Sequence, residues 1–442
     1  MIENLGPLRF ASPDGGIPPA PHAHELVRPS ELGIYDENDR LTRAAIWGPV
    51  GAEAVLAQIY PKRVSLFYDE MDVVVARSEA EGFQSALESS GVRIHLMRDL
   101  LEQSLPPVEG VTKEQLIDEL LGRAQSIYEH YYDHDGNDLG EELDNGNKLP
   151  AGGLKHFYSY VEPITTLINM DIERYGLPGA VALNEFLSIN PPLPLGNSIY
   201  SRDQMNVILG TRFSASMAEP IRQREVPFYE TLYEKLGLPR GIEMPDGETF
   251  EGGDAYVHNG IVYVGVGVRT TKGAAHFIYE TLKPQLKELG FEFAIVEDVM
   301  IDQKTPDKLQ QFMHLDTFSN PISRTEMVVC DTEARNRRVK ILTENVHGEI
   351  EEVDAGTFVD FLEERNTVYH VAEDAQQEFA CNFLAIDNQT VLVADTGKPE
   401  SEAVARQLEA EAGKTVIRIP LKESTRGFGA THCMTGQLRR AA

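Results

Sequence analysis

The chain has 442 residues, 42% of them hydrophobic, and 70 acidic against 40 basic side chains give a formal net charge of −30. The length exceeds a typical single domain and points to one large multi-unit fold or to two domains. The acidic balance argues against nucleic-acid binding, which needs clustered Lys and Arg on phosphate, and it favours a cationic small-molecule partner.

Residues 1–39 carry many prolines and read as an extended lead-in. From Arg40 the pattern turns α/β. Ala44–Trp47 reads as a short strand, Ala52–Ile59 as a helix, Val73–Ala76 as a buried strand, Glu79–Ser90 as a helix and Val92–Leu96 as a strand. Over 101–194 the pattern becomes helical. Thr112–His130 carries Leu116, Ile117, Leu120, Leu121 and Ala124 at helical spacing, and Thr112 with Gln115 makes a capping-box sequence. Leu154–Tyr175 and Pro178–Asn190 read as further helices. This block reads as a helical insertion in an α/β frame that spans 40–100 and 195–442. Within it, Asp133–Glu141 has the acidic spacing of a calcium loop but carries Asp138 where glycine is expected, and reads as a solvated acidic turn.

Strands return at Met205–Leu209, and Ala255–Val257 with Ile261–Val266 forms a hairpin turning at Asn259-Gly260. Glu292–Val296, Met327–Cys330, Val339–Leu342, Val391–Val393 and Thr415–Ile419 are further strands. Helices fall at Val226–Leu236, His276–Leu289 and Glu400–Ala412. The units recur in size without a close sequence repeat. Gly265-x-Gly267-x-x-Thr270 is half a dinucleotide fingerprint, but it follows a hairpin and lacks the third glycine.

Three cysteines (Cys330, Cys381 and Cys433) do not make a disulfide framework and suggest a reducing compartment. No basic-then-apolar leader opens the chain, and no run of about 18 apolar residues suggests a membrane span. A cytoplasmic protein with no membrane or nucleic-acid partner is expected; assembly as a homo-oligomer stays open.

Four polar clusters interrupt the elements: Asn197 to Asp203, Phe250 to Asp254, Met313 to Thr317, and Thr425 to Thr435. Each has a bland reading. An Arg-Asp pair is usually a surface salt bridge, Glu-Gly-Gly-Asp usually a turn, and a single cysteine usually a small buried hydrophobe. On an extended segment, His314 and Asp316 would point the same way. No four-ligand metal set is evident, and no cofactor is implied.

Together the clusters fit one chemistry. A guanidinium is a planar cation that pairs with carboxylates in bidentate fashion, and its central carbon is hard to attack. Its conversion needs acids to grip the cation, a soft nucleophile, and an acid/base for the departing amine and the incoming water. These loops contain those parts.

The order Asn-x-x-x-x-Arg-Asp, Arg222-Gln223-Arg224-Glu225, Glu-Gly-Gly-Asp, Gly-x-Gly-x-Arg-Thr, His-Leu-Asp-Thr and a final glycine-containing loop ending His-Cys-Met-Thr resembles the arginine deiminases. The likeness runs from Arg40 to the C-terminus and takes in Arg40-Leu41-Thr42-Arg43, Leu66-Phe67-Tyr68-Asp69 and Arg98-Asp99-Leu100-Leu101. It implies a pentein fold, a five-bladed α/β propeller, within the guanidino-group-modifying enzymes, with no metal or organic cofactor. It implies Cys433 as nucleophile, His314 as general acid and base, Asp203 and Asp316 as the guanidinium grip, and Glu251 as support for His314. Arg222 and Arg269 stand where the family binds the substrate carboxylate, with Asn197 as a polar contact; Asp254, Arg426, Phe428 and His432 line the site. The departure is Phe428, where the family's loop commonly has a second arginine that holds the substrate carboxylate. The leading expectation is hydrolysis of L-arginine to citrulline and ammonia. The alternatives are a carboxylate-modified relative as substrate, transfer of the amidino group to an amine, and a silent guanidino-binding protein.

Overall fold

The computed structural model describes residues 27–28, 32–67, 69–132, 158–190 and 194–441. The fold is mixed α/β, and one pairing scheme recurs along it. In three segments an antiparallel pair is followed, after a helix or a longer excursion, by a strand parallel to its second member. Ala255–His258, Ile261–Val266 and Glu292–Asp298 form one such set. Ser319–Ser323, Glu326–Cys330 and Thr367–Val371 form another, and Leu384–Ala385, Thr390–Asp395 and Thr415–Pro420 a third. A fourth set joins the two ends of the chain: Gly436–Ala441 pairs antiparallel with Arg40–Ile46, which pairs parallel with Arg93–Leu96. The fifth is abbreviated. Met205–Ile208 and Thr211–Ser214 are antiparallel, and a single parallel bridge from Phe213 to Ile242 stands for the third strand.

Local chemistry explains these units. Ile261–Val266 is apolar and buried throughout, as a strand covered on both faces must be. Asn259 (φ 50°) and Gly260 (φ 75°) both take left-handed conformations at the hairpin turn, as a tight two-residue connection requires. Helix Lys272–Leu289 starts on the Thr271 side chain, which accepts from Ala274 N–H, and ends at left-handed Gly290. The capping box at Thr112 is formed in both directions, opening helix Lys113–Tyr131.

Helix Lys113–Tyr131 and the kinked helix Val161–Asn184 pack beside Ala52–Ile59, and Gly176 (φ 72°) supplies the kink just ahead of Pro178. A buried charge network fixes this block to the frame. Arg98 donates to both Asp171 oxygens (2.8 and 2.7 Å) and to Glu53 (3.1 Å), while Arg77 donates to Asp171 (2.8 Å). Among the described residues no helix is long and apolar enough to cross a membrane.

Two sequence expectations are corrected. Val73–Ala76 is not a strand but the first turn of helix Val73–Ser89, because the Asp72 side chain accepts from Val74 and Val75 N–H. A short β-branched run does not by itself separate strand from helix, and here the cap decides. Met313–Thr317 is not extended: His314 is the N-cap of a helical turn, Leu315–Phe318. The acidic stretch 133–141, the start of the expected helix at Leu154 and most of the lead-in lie outside the described residues.

Candidate active site

The five units each present a loop just ahead of their first strand, and these loops meet. Asp203 precedes Met205–Ile208, Glu251 and Asp254 precede Ala255–His258, and His314 and Asp316 precede Ser319–Ser323. Asn382 precedes Leu384–Ala385, and Cys433 precedes Gly436–Ala441. All seven side chains are buried.

Cys433 Sγ lies 3.6 and 3.8 Å from the Asp316 carboxylate oxygens and accepts from Asn382 Nδ2 at 3.1 Å. Burial pushes the thiol pKa well up, the charges of Asp316 and Asp203 push it further, and the Asn382 bond opposes them. Burial and both acids thus favour the neutral thiol over the thiolate. Asp316 also takes the His432 Nδ1 contact at 2.7 Å. Burial would raise the Asp316 pKa, yet this partner holds it below the ordinary value.

His314 forms the second half of the cluster. Its Nε2 is 2.8 Å from Glu251 Oε2, and its Nδ1 faces Asp203 Oδ1 at 3.7 Å, too far for a hydrogen bond. Burial disfavours the imidazolium, but Asp203, the Glu251 bond and Asp254 outweigh it and raise the pKa to about 9. For Glu251, burial is likewise outweighed, first by Arg269 and then by His314, and the pKa falls to about 2. Asp254, which accepts from Leu315 N–H, is pushed by burial up to about 6. Two buried atoms here, Asp203 Oδ1 and His314 Nδ1, have no hydrogen-bond partner. Asp203 Oδ1 can still accept a hydrogen bond, and Nδ1 of a charged imidazole can still donate one.

Glycines make the approach possible. A Cβ on Gly253 would stand 2.8 Å from His314 Nδ1, and one on Gly265 would stand 2.5 Å from Asp254 Oδ1. The half fingerprint around Gly265 thus has a steric reason: it leaves room for Asp254. A Cβ on Gly429 would meet the Tyr200 ring at 2.5 Å and Cys433 Cβ at 2.9 Å.

A cleft leads to Asp203, lined by Leu66, Asn197, Arg222, Arg269, Met313 and Phe428 among others. The arginines along it already hold carboxylates. Arg222 donates to Asp203 (2.6 Å) and to Glu225 (2.9 Å); Arg269 lies 3.2 Å from Glu219 and donates to Gln310 (2.9 Å). Asn197 donates to the Ser65 carbonyl. Phe428, left-handed at φ 68°, makes a T-shaped contact with the Phe379 ring. Arg426 is not among the lining residues and is spent on Asp69, the Glu70 carbonyl and Glu423.

Asp203, Glu251 and His314 also present ligand atoms within 4.8 Å of one another, the one such trio among the described residues. Arg222 already engages Asp203, and Arg269 lies 3.8 Å from Glu251, so guanidinium charge occupies the positions a metal would neutralise.

Sequence reasoning missed Asn382, Glu37 and Tyr200. Glu37, within the presumed lead-in, is buried between Arg202 (3.0 Å) and Arg440 (3.2 Å) behind His432. Tyr200 donates to the Ser424 carbonyl and braces the cysteine loop. Asn382 follows Cys381 in an apolar run; a lone polar residue just ahead of a strand was its available signal.

The family model for arginine deiminase matches residues 65–440. The uncharacterized protein YkgA of Bacillus subtilis is 30% identical over 247 residues, covering 56% of this chain and 71% of that protein. An arginine deiminase of Borrelia garinii subsp. bavariensis is 24% identical over 438 residues, covering 92% of this chain and 98% of its own. Among solved structures, the amidinotransferase SxtG of the Microseira wollei saxitoxin pathway superposes with a TM-score of 0.50 at 14% identity. That match covers 93% of this chain and 98% of the other, a likeness of fold.

Proposed function

The chain belongs to the arginine deiminase family, and we propose that it hydrolyses a guanidino group, with L-arginine as reference substrate, to a ureido product and ammonia. The observation that carries this reading is the convergence of Cys433, Asp316, Asp203, His314 and Glu251 in one buried cluster with two unpartnered atoms on its inner face. We read the five strand units as the five blades of a pentein propeller, with the pairing of Arg40–Ile46 and Gly436–Ala441 as the closure.

In this mechanism the substrate guanidinium is held by Asp203 and Asp316, and its positive charge lowers the thiol pKa that those carboxylates otherwise raise. The Cys433 proton passes to water as the cation binds, and the sulfur attacks the guanidinium carbon. His314, carrying a proton at neutral pH, delivers it to the departing nitrogen, and ammonia leaves. The neutral imidazole then takes a proton from water as its oxygen attacks the thiouronium carbon. Collapse expels the sulfur, which takes up the hydroxyl proton as the thiol re-forms, and frees the ureido product. Glu251 holds His314 in its orientation throughout. An amine in place of that water would make the same site an amidinotransferase.

A second substrate reading is favoured by the cleft. Phe428 supplies no donor, and both lining arginines carry carboxylate partners, so a substrate altered at its carboxylate end fits alongside L-arginine. The test is ammonia and ureido product from L-arginine, its methyl ester and agmatine, with Cys433→Ala in parallel. Stoichiometric products lost in the variant support hydrolysis. Products that persist in Cys433→Ala, or no turnover of any of the three, refute it.

A further inference from the structure

Four of the five strand units send an acid, a histidine or the cysteine into the cluster, each from the loop ahead of the unit's first strand. The remaining unit, Leu384–Ala385 with Thr390–Asp395 and Thr415–Pro420, sends Asn382 from the same place. Nothing in the sequence reading assigned this unit a part.

The Asn382 amide is fully used. Its Oδ1 accepts from Ala430 N–H (3.0 Å) and Cys433 N–H (3.2 Å), and its Nδ2 donates to the Asp316 carbonyl (3.0 Å) and to Cys433 Sγ (3.1 Å). Two backbone donors on one side and a carbonyl on the other fix the orientation; a flipped amide would face N–H against N–H. An N–H is therefore aimed at the sulfur whatever the protonation state of the thiol. Asn382 is 0% exposed, so no water competes for that contact.

We propose that Asn382 is a catalytic residue: it hydrogen-bonds the Cys433 sulfur as charge develops there, and stabilises the thiolate against the two carboxylates that oppose it. The same side chain fixes the cysteine loop to Asp316, so nucleophile and cation grip keep one spacing. A hydrogen bond to a charged group shifts the thiol by about one to two pKa units, or about 10–100-fold in thiolate at a given pH. The proposal rests on Cys433 as the nucleophile, but its test does not need the substrate.

The experiment compares wild type with Asn382→Asp and Asn382→Ala. The rate of iodoacetamide alkylation at Cys433, located by mass spectrometry, is followed against pH. Asn382→Asp retains an oxygen for both backbone N–H groups and removes the donor to sulfur together with the donor to the Asp316 carbonyl. We expect alkylation about 10–100-fold slower in Asn382→Ala, and at least as slow in Asn382→Asp, with the pH profile displaced upward. On any guanidino substrate that turns over, kcat falls while KM stays within about threefold. Wild-type alkylation rates in Asn382→Asp would overturn the proposal, because the sulfur would then not need the donor that this change removes. Should Asn382→Asp fail to fold, a wild-type profile in Asn382→Ala overturns it equally. Absence of turnover on every guanidine, with the alkylation contrast intact, would sink the hydrolase reading and leave Asn382's effect on the thiol standing.

Discussion

Changing Glu251 to glutamine tests the electrostatics on which the proposed acid/base step depends. The side chain keeps its length and an oxygen at the 2.8 Å position; it loses its charge and, at the other terminal atom, the acceptor for Ala218 N–H. A hydrogen bond to a charged partner contributes about 1.5–3 kcal/mol and a neutral one about 0.5–1.5 kcal/mol. The difference, about 1–1.5 kcal/mol, is about one pKa unit. Asp203 and Asp254 still face the ring, so His314 should titrate near 8, down from about 9 and not as low as its ordinary value of 6.5. Histidine side-chain NMR against pH reads this directly, and the alkaline limb of kcat should move with it. A titration that stays near 9 would refute the role given to Glu251. One that falls below 6.5 would refute the role given to Asp203 and Asp254. Stability carries the same signature. His314, raised, contributes stability that is complete below 6.5 and lost as pH rises through about 9. Glu251, lowered, contributes stability present above 4.5 and lost as pH falls through about 2. The wild type should therefore exceed Glu251→Gln in stability most between about 4.5 and 6.5, with the margin narrowing on both sides.

Phe428→Arg restores a donor at the cleft without changing the backbone cost, since arginine at φ 68° is as strained as phenylalanine. KM for L-arginine should fall about tenfold, the effect of one charge-assisted bond, while agmatine gains nothing; an equal gain for both in steady-state assays would remove Phe428 from substrate selection. Arg98→Met strips Asp171 of its two-fold partner inside a dry interface, and a broken buried pair costs about 3–5 kcal/mol. Urea unfolding should register that loss, and a midpoint within error of wild type would show that Arg77 alone suffices for Asp171.

Legibility in the sequence followed how local each cause was. The Thr112 cap, the Asn259-Gly260 hairpin and the long amphipathic helices were readable because their determinants lie within a few residues. Val73–Ala76 was misread because its composition speaks for a strand, and the single Asp72 side chain that reverses it lies outside the run. The five-unit scheme was nearly invisible: its recurrence is one of pairing, not of residues, and one unit is assembled from the two ends of the chain. The candidate acids, histidine and cysteine were legible as types in punctuated loops. Asn382 and Glu37 were not: an amide has no acid–base chemistry of its own, and Glu37 lies in the N-terminal stretch, far in sequence from the four loops. Their significance is entirely in what they touch.

The charge states at rest bear on selectivity. Burial and then Asp316 and Asp203 favour the neutral thiol, while Asp203 and Glu251 favour the charged form of His314; the pair differs at its sulfur from a thiolate–imidazolium pair that is reactive before substrate arrives. On the proposed mechanism the missing charge must come from the ligand. A cation between the two carboxylates cancels the field that suppresses ionisation, so the nucleophile is made by the group it attacks. A neutral electrophile in the same cleft leaves the thiol protonated. The ureido product is neutral too, and cannot re-form the thiolate needed to run the step backwards. Asn382 completes this logic, because a donor already aimed at the sulfur requires no reorganisation when the charge appears.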